Sequence, residues 1–205
     1  MSRLTKESSS TAHYRPKNFD HLLGTSGFSE PLLKNHFKLY EGYVKNTNAL
    51  IDIFASFEND DRPESRAFAD YKRRFAWEFN GMRLHEYYFG NMTKNPAALD
   101  PKSGLAEKIS ENFGSLENWK QEFLAVGAMR GIGWALLAYD GEADKLFNLW
   151  INEHDLGILA GTTPVLVMDV FEHAFLTDYG LQRERYISAF MHAVDWHEAA
   201  RRFHP

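Results

Sequence analysis

Gly133-Trp134-Ala135-Leu136-Leu137-Ala138-Tyr139-Asp140-Gly141-Glu142-Ala143-Asp144-Lys145-Leu146-Phe147-Asn148-Leu149-Trp150-Ile151 is where the chain abandons the three- and four-residue apolar repeat that precedes it. Two apolar runs of strand length flank a short polar turn containing Asp140-Gly141, which reads as a β-hairpin with strands at 133–139 and 145–151. Pro164-Val165-Leu166-Val167-Met168 reads as a third, more buried strand. Everything before this region is helical in pattern, and helical pattern resumes from about Arg183 through Arg202. The fold class that follows is α+β: an N-terminal antiparallel helical hairpin, then a C-terminal domain with a small three-stranded antiparallel sheet flanked by helices.

Working outward, the apolar positions from Glu30 to about Phe57 recur at helical spacing, with Ser29 as the N-cap and Pro31 in the first turn. A second helix is expected from near Pro63 to about Asn91, and Glu58-Asn59-Asp60-Asp61-Arg62 is read as the turn between the two. Thr93 to Gly104, with Pro96, Asp100-Pro101 and Gly104, marks a boundary. The expected division is residues 1–95 and 96–205, with short helices at 105–112 and 115–128, the latter capped by Ser115.

The 205 residues are 44% hydrophobic and 15% aromatic, enough for a sizeable core. Disorder is expected only in the first dozen residues, where Ser8-Ser9-Ser10-Thr11 has nothing to bury. The net charge of −5 and the lack of a basic block argue against nucleic acid as a partner. The absence of cysteine rules out disulfides and thiolate chemistry. Met1-Ser2-Arg3-Leu4-Thr5-Lys6 lacks a signal-peptide core, and no apolar run approaches the ~20 residues that span a bilayer. A cytoplasmic protein without membrane contact is expected.

His36, His85, Asp169 and His173 are the residues with the most chemistry to offer. Three imidazoles and one carboxylate make a nitrogen-rich ligand set for a first-row transition metal, with room for a further ligand. The same four also read as one local carboxylate–histidine pair plus two packing histidines, and residue type alone leaves both readings open.

Asp169-Val170-Phe171-Glu172-His173-Ala174-Phe175, Leu84-His85-Glu86-Tyr87-Tyr88-Phe89, His36 with Tyr43-Val44-Lys45-Asn46-Thr47-Asn48, and Gly131-Ile132-Gly133-Trp134 resemble, in order and separation, the signatures of the iron/manganese superoxide dismutases. The resemblance implies one iron or manganese ion per subunit, held between the two halves by His36, His85, Asp169 and His173. It implies ping-pong dismutation of superoxide to oxygen and hydrogen peroxide, with the metal alternating between two oxidation states. His154 stands where the family often has a glutamine that bonds metal-bound solvent. Gly81, at the alternative helical position for that glutamine, cannot supply the bond. His154 is therefore expected to donate to the solvent and to favour iron over manganese. Tyr43 resembles a gateway tyrosine able to relay protons, Trp134 a wall of the pocket, and Arg183 a cation that steers the anionic substrate. Glu172 is expected to bond His173 of a second subunit in a homodimer or dimer of dimers.

Departures accompany the resemblance. The spacing from His36 to Tyr43 is one residue short, and aligning on Tyr43 would put Asn35 at the ligand position; imidazole is the better ligand, so His36 is retained. Tyr40 (or Leu39) and Leu176 replace a polar pair that joins subunits, which implies apolar contact there. Phe171 replaces a tryptophan. Two other readings of the ligand set are a redox-inactive metal-binding relative and a zinc hydrolase with His154 as its general base. His13, His21, His192, His197 and His204 are expected at the surface.

Overall fold

A computed structural model defines residues 13–59 and 65–204. The expectations for Ser8–Thr11 and for Asp60–Arg62 of the first turn lie outside those residues, as does a helix start at Pro63. Helix α1 (Glu30–Asn59) begins with the Ser29 hydroxyl accepting from the Leu32 amide at 3.2 Å, which satisfies one of the free N–H groups of a first turn. Helix α2 (Arg66–Gly90) has Ser65 in the same role, accepting from Phe68. The two helices pack along their length as a hairpin.

Helices α3 (Gly104–Phe113) and α4 (Leu116–Ala128) follow, capped by Ser103 and Ser115. Strands β1 (Gly133–Asp140), β2 (Lys145–Asn152) and β3 (Thr162–Asp169) form one antiparallel sheet in the order β2-β1-β3. The central strand is buried on both faces, which explains why it reads as an unbroken apolar run rather than as an alternation. A register shift between Leu137 and Ala138 accommodates Pro164, which has no N–H to give the ladder. Residues from the helical half, such as Leu33, Met82 and Phe89, share one buried cluster with Trp134, Val167 and Phe190 from the second half.

After β3 come a single 3-10 turn (Glu172–Ala174), the short α5 (Leu176–Tyr179), α6 (Arg183–His192) and α7 (Trp196–Arg202). The helical pattern expected from about Arg183 through Arg202 is divided between two helices. Its interruption has a local cause: Asp195 caps α7 by accepting from His197 and Glu198, and the intervening backbone pairs with the end of α2 instead. Thr93 donates to the Ala193 carbonyl at 2.8 Å and Asp195 to the Asn91 carbonyl at 2.9 Å. Asn91 itself is buried, its side chain accepting from the Val167 amide and donating to the Tyr88 carbonyl. This junction fixes α2 against β3, and those two elements carry the second and third residues of the site.

Candidate metal centre

His36 comes from α1, His85 from α2, Asp169 from the last position of β3, and His173 from the 3-10 turn that follows. One ligand atom from each lies within 4.8 Å of those of the other three. Asn35, the alternative in the α1 register, points outward and is exposed, whereas His36 is 2% exposed. His85 and Asp169 are wholly buried, and the His173 side chain keeps 28% of its surface.

Asp169 Oδ2 faces three imidazole nitrogens: His36 Nε2 at 3.1 Å, His173 Nε2 at 3.1 Å and His85 Nε2 at 3.6 Å. Its other oxygen accepts from the Phe171 amide at 2.9 Å, and the hydroxyl of Tyr186 donates to its carbonyl. Ligand atoms bonded to one metal at about 2.1 Å, with angles of roughly 90–120°, lie about 3.0–3.6 Å apart, the range of the three separations between Asp169 and the imidazoles.

His85 makes the stronger case for a cation. Its Nδ1 lies 2.5 Å from the Gly81 carbonyl, which can only accept, so the ring hydrogen is on Nδ1. Nε2 is then a bare lone pair, buried, with no hydrogen-bond partner among the described residues, and it faces a carboxylate oxygen. Two buried acceptors turned toward each other are unfavourable without a positive charge between them. The donor set therefore fits a metal ion. Burial lowers the pKa of His36 and pulls that of His85 well down, keeping both rings as neutral lone-pair donors. Burial works against the Asp169 charge, yet charge and N–H groups from His173 and His36 on Oδ2 hold that carboxyl far below the usual range, a role that a metal bound to the ring lone pairs would take over.

His154 lies in the turn after β2, where Glu153 takes a positive φ of 53°. Far from being an exposed loop residue, it is fully buried. The Trp134 indole N–H donates to His154 Nδ1 at 3.1 Å, and Nε2 lies 2.7 Å from the Tyr43 hydroxyl. An indole can only donate, so the neutral ring carries its hydrogen on Nε2 and gives it to Tyr43. Burial pushes the His154 pKa down to about 4, so this tautomer holds at neutral pH. Both ring nitrogens are engaged by protein, and any donation to metal-bound solvent has to share the Nε2 hydrogen with Tyr43. Tyr43 is left with a hydroxyl hydrogen that has no acceptor among the described residues. Burial, assisted by the Asp169 charge, pushes the Tyr43 phenol up and keeps it protonated.

Gly81 does two things that a larger residue could not combine. Its carbonyl orients His85, and a Cβ there would sit 2.5 Å from the Tyr43 ring, which instead stacks on His85 with centroids 5.2 Å apart. Gly133 is similarly required: with φ at 142°, a Cβ would lie 1.9 Å from the Ile151 carbonyl oxygen, at the point where β1 delivers Trp134.

Arg183 begins α6. Its Nη1 donates to the Gly131 carbonyl at 2.9 Å, while Nε and Nη2 are buried without partners among the described residues. Burial lowers its pKa, and the Asp169 and Glu172 charges oppose that. Glu172 is exposed. Tyr40 does not stand at the gateway; it is in the core, donating to Glu86 at 3.0 Å, while Leu39 and Leu176 are 37% and 48% exposed. The five other histidines are all exposed, as expected.

Trp77 and Tyr186 were not singled out from sequence. The Trp77 ring meets His154 edge-on at 4.7 Å, and Phe171 stacks on both His154 (4.8 Å) and His173 (5.1 Å). Trp77 is two helical turns before His85 on the same face, so helical spacing contained the signal. Tyr186 has no such signal, because it bonds the Asp169 backbone carbonyl and the sequence-distant Tyr88 hydroxyl.

A model of the C-terminal domain of iron/manganese superoxide dismutases matches residues 101–202. The chain is 39% identical over 169 residues to superoxide dismutase [Mn] 2 of Haloferax volcanii, covering 82% of this chain and 83% of that protein. It is 37% identical over 181 residues to superoxide dismutase [Fe] of Cupriavidus metallidurans, covering 87% and 89% of the two chains. It is 34% identical over 179 residues to superoxide dismutase [Fe] of Methanothermobacter thermautotrophicus, covering 85% of each.

Proposed function

The chain belongs to the iron/manganese superoxide dismutase family, and from that premise we propose that it converts two superoxide anions and two protons to oxygen and hydrogen peroxide. The observation that carries the reading is the buried quartet His36, His85, Asp169 and His173, with the lone pair of His85 turned on a carboxylate. We assign these four as the ligands of one iron or manganese ion per subunit, lying between an N-terminal hairpin unit (1–95) and a C-terminal unit (96–205). A metal held there would supply the one-electron chemistry, accepting an electron from one superoxide and returning it to the next.

The remaining steps belong to the protein. Trp134 orients His154, His154 orients Tyr43, and the free hydroxyl hydrogen of Tyr43 is the proton donor closest in this chain of bonds to the ligand rings. Trp134, Phe171 and Trp77 keep bulk water from His154. Arg183 is assigned the steering of the anion, its unpaired N–H groups standing ready in a protein whose overall charge is negative. Glu172 is assigned to reach His173 of a second subunit in a homodimer, or a dimer of dimers, with Leu39 and Leu176 giving apolar contact.

Named relatives of both metal types match to a similar degree, so iron is placed ahead of manganese only on the presence of His154. A zinc hydrolase is disfavoured, because His154 has no ring nitrogen free to act as a general base. No helix among the described residues is long and apolar enough to cross a membrane, and the cytoplasm is the proposed location. The test is elemental analysis of protein purified without added metal, with superoxide consumption measured after separate reconstitution with iron and manganese. Activity with either ion supports the enzyme; metal bound without activity would point to a redox-inactive relative.

A further inference from the structure

On the opposite side of α2 from His85, a recess of about 380 Å³ lies between the segment before α1, the outer face of α2, the start of β3 and α7. Glu86 lines it, directly after His85 in sequence but turned ~100° around the helix. Glu86 Oε2 accepts from Arg83 at 2.7 Å and pairs with Lys17 at 3.1 Å. Across the recess, Glu198 pairs with Arg201 at 2.6 Å and Arg202 at 2.9 Å. Each carboxylate is thus shared by two cations. Among the described residues, Lys17, Arg83, Arg201 and Arg202 exceed Glu86 and Glu198 by two positive charges, in a chain whose net charge is −5.

The cations are not spent structurally to the same degree. Arg202 is largely buried and also donates to the Tyr87 carbonyl, so it belongs to the fold. Lys17 and Arg201 keep 59% and 60% of their side-chain surface and Arg83 keeps 36%. Arg201 commits Nε and Nη2 to Glu198 and Arg83 commits Nη1 to Glu86, which leaves Arg201 Nη1, Arg83 Nη2 and the spare Lys17 N–H groups uncommitted among the described residues. Cationic N–H groups left over from these pairs and ranged round a concave surface of this size can meet the oxygens of a tetrahedral dianion. A volume near the lower end of small-ligand sites suits a compact molecule.

We propose that this recess is an anion site that takes a phosphate group, either free or as a small monoester. The bound dianion replaces the missing counter-charge and ties the N-terminal segment, α2 and α7 together. It touches none of the residues assigned to superoxide chemistry.

Calorimetric titration of the metal-loaded protein tests the site, with inorganic phosphate and AMP as separate probes and ionic strength matched with sodium chloride. Saturable binding of at least one probe is expected, and the tighter probe tells free phosphate from monoester. In the Lys17→Gln/Arg201→Gln double variant the affinity should fall by about tenfold or more, with superoxide consumption unchanged. Both side chains are exposed, so folding is not at stake, and a thermal melt of the variant checks that. No saturable heat with either probe overturns the proposal. So does an unchanged affinity in the double variant, which would put the phosphate elsewhere, the metal centre included.

Discussion

On the His154 side of the ligand quartet both ring nitrogens of the histidine have partners, aromatic rings close around it, and only the Tyr43 hydroxyl hydrogen is left over. On the His173 side the proposed ligand is itself part-exposed, Glu172 faces solvent, and Arg183 Nε and Nη2 are buried without partners among the described residues. The first flank is completed within one chain. The second leaves donors and an exposed carboxylate open to water, to substrate or to a second subunit. A buried unpaired donor costs about 1–3 kcal/mol, so such groups persist where a partner arrives in use. In the proposed function the inner flank handles protons and the outer one serves entry and assembly, and variants in either flank test the contrast.

Asp169→Asn strikes where the flanks meet and should have the largest effect. The ligand oxygen would lose the charge that gathers three imidazoles, and the metal content of purified protein is expected to fall more than about 100-fold, with activity following. Protein that keeps a full complement of metal, measured by elemental analysis, would remove Asp169 from the ligand set.

His154→Ala breaks the inner flank without touching a ligand. Metal should be retained while turnover drops by about 10–100-fold, and His154→Gln, which can both accept from Trp134 and donate to Tyr43, should recover much of it. Loss of the metal in His154→Ala would show that this residue helps hold the ion, which the bonds to Trp134 and Tyr43 do not suggest. Gly81→Ala tests the same flank from behind. Its Cβ collides with the Tyr43 ring at 2.5 Å, so a destabilisation of about 1–3 kcal/mol in thermal melts and a several-fold loss of turnover are expected. A variant with unchanged stability and rate would mean that the stacking of Tyr43 on His85 is dispensable.

The two flanks were not equally legible in the sequence. The clustered quartet was readable because short conspicuous motifs hold the proposed ligands His85, Asp169 and His173, and the sheet announces itself where helical period ends at Gly133. His154 was found, but its burial and its commitment to Trp134 were not, because a turn residue's surroundings are made by distant elements. The sequence reading also put Tyr40, or else Leu39, in place of a polar residue that joins subunits, and the helix face favours Leu39, since position 40 falls on the core side with Leu33 and Val44. The break in the last helix depended on pairing with residues about 100 positions away, between Ala193 and Thr93, which no local pattern encodes.

Arg183→Gln is the mildest change and the one that separates the two tasks given to the outer flank. A steering cation acts on encounter, so kcat/KM should fall a few-fold while kcat holds, and the dependence of kcat/KM on ionic strength should flatten. Glutamine keeps a donor for the Gly131 carbonyl, so the N-terminus of α6 should stay in place. If Arg183 instead serves mainly to complete an interface, the same variant would leave the salt dependence as it was and shift the subunit equilibrium in sedimentation. The first result ties its unpaired N–H groups to the substrate, and the second ties them to a neighbouring chain.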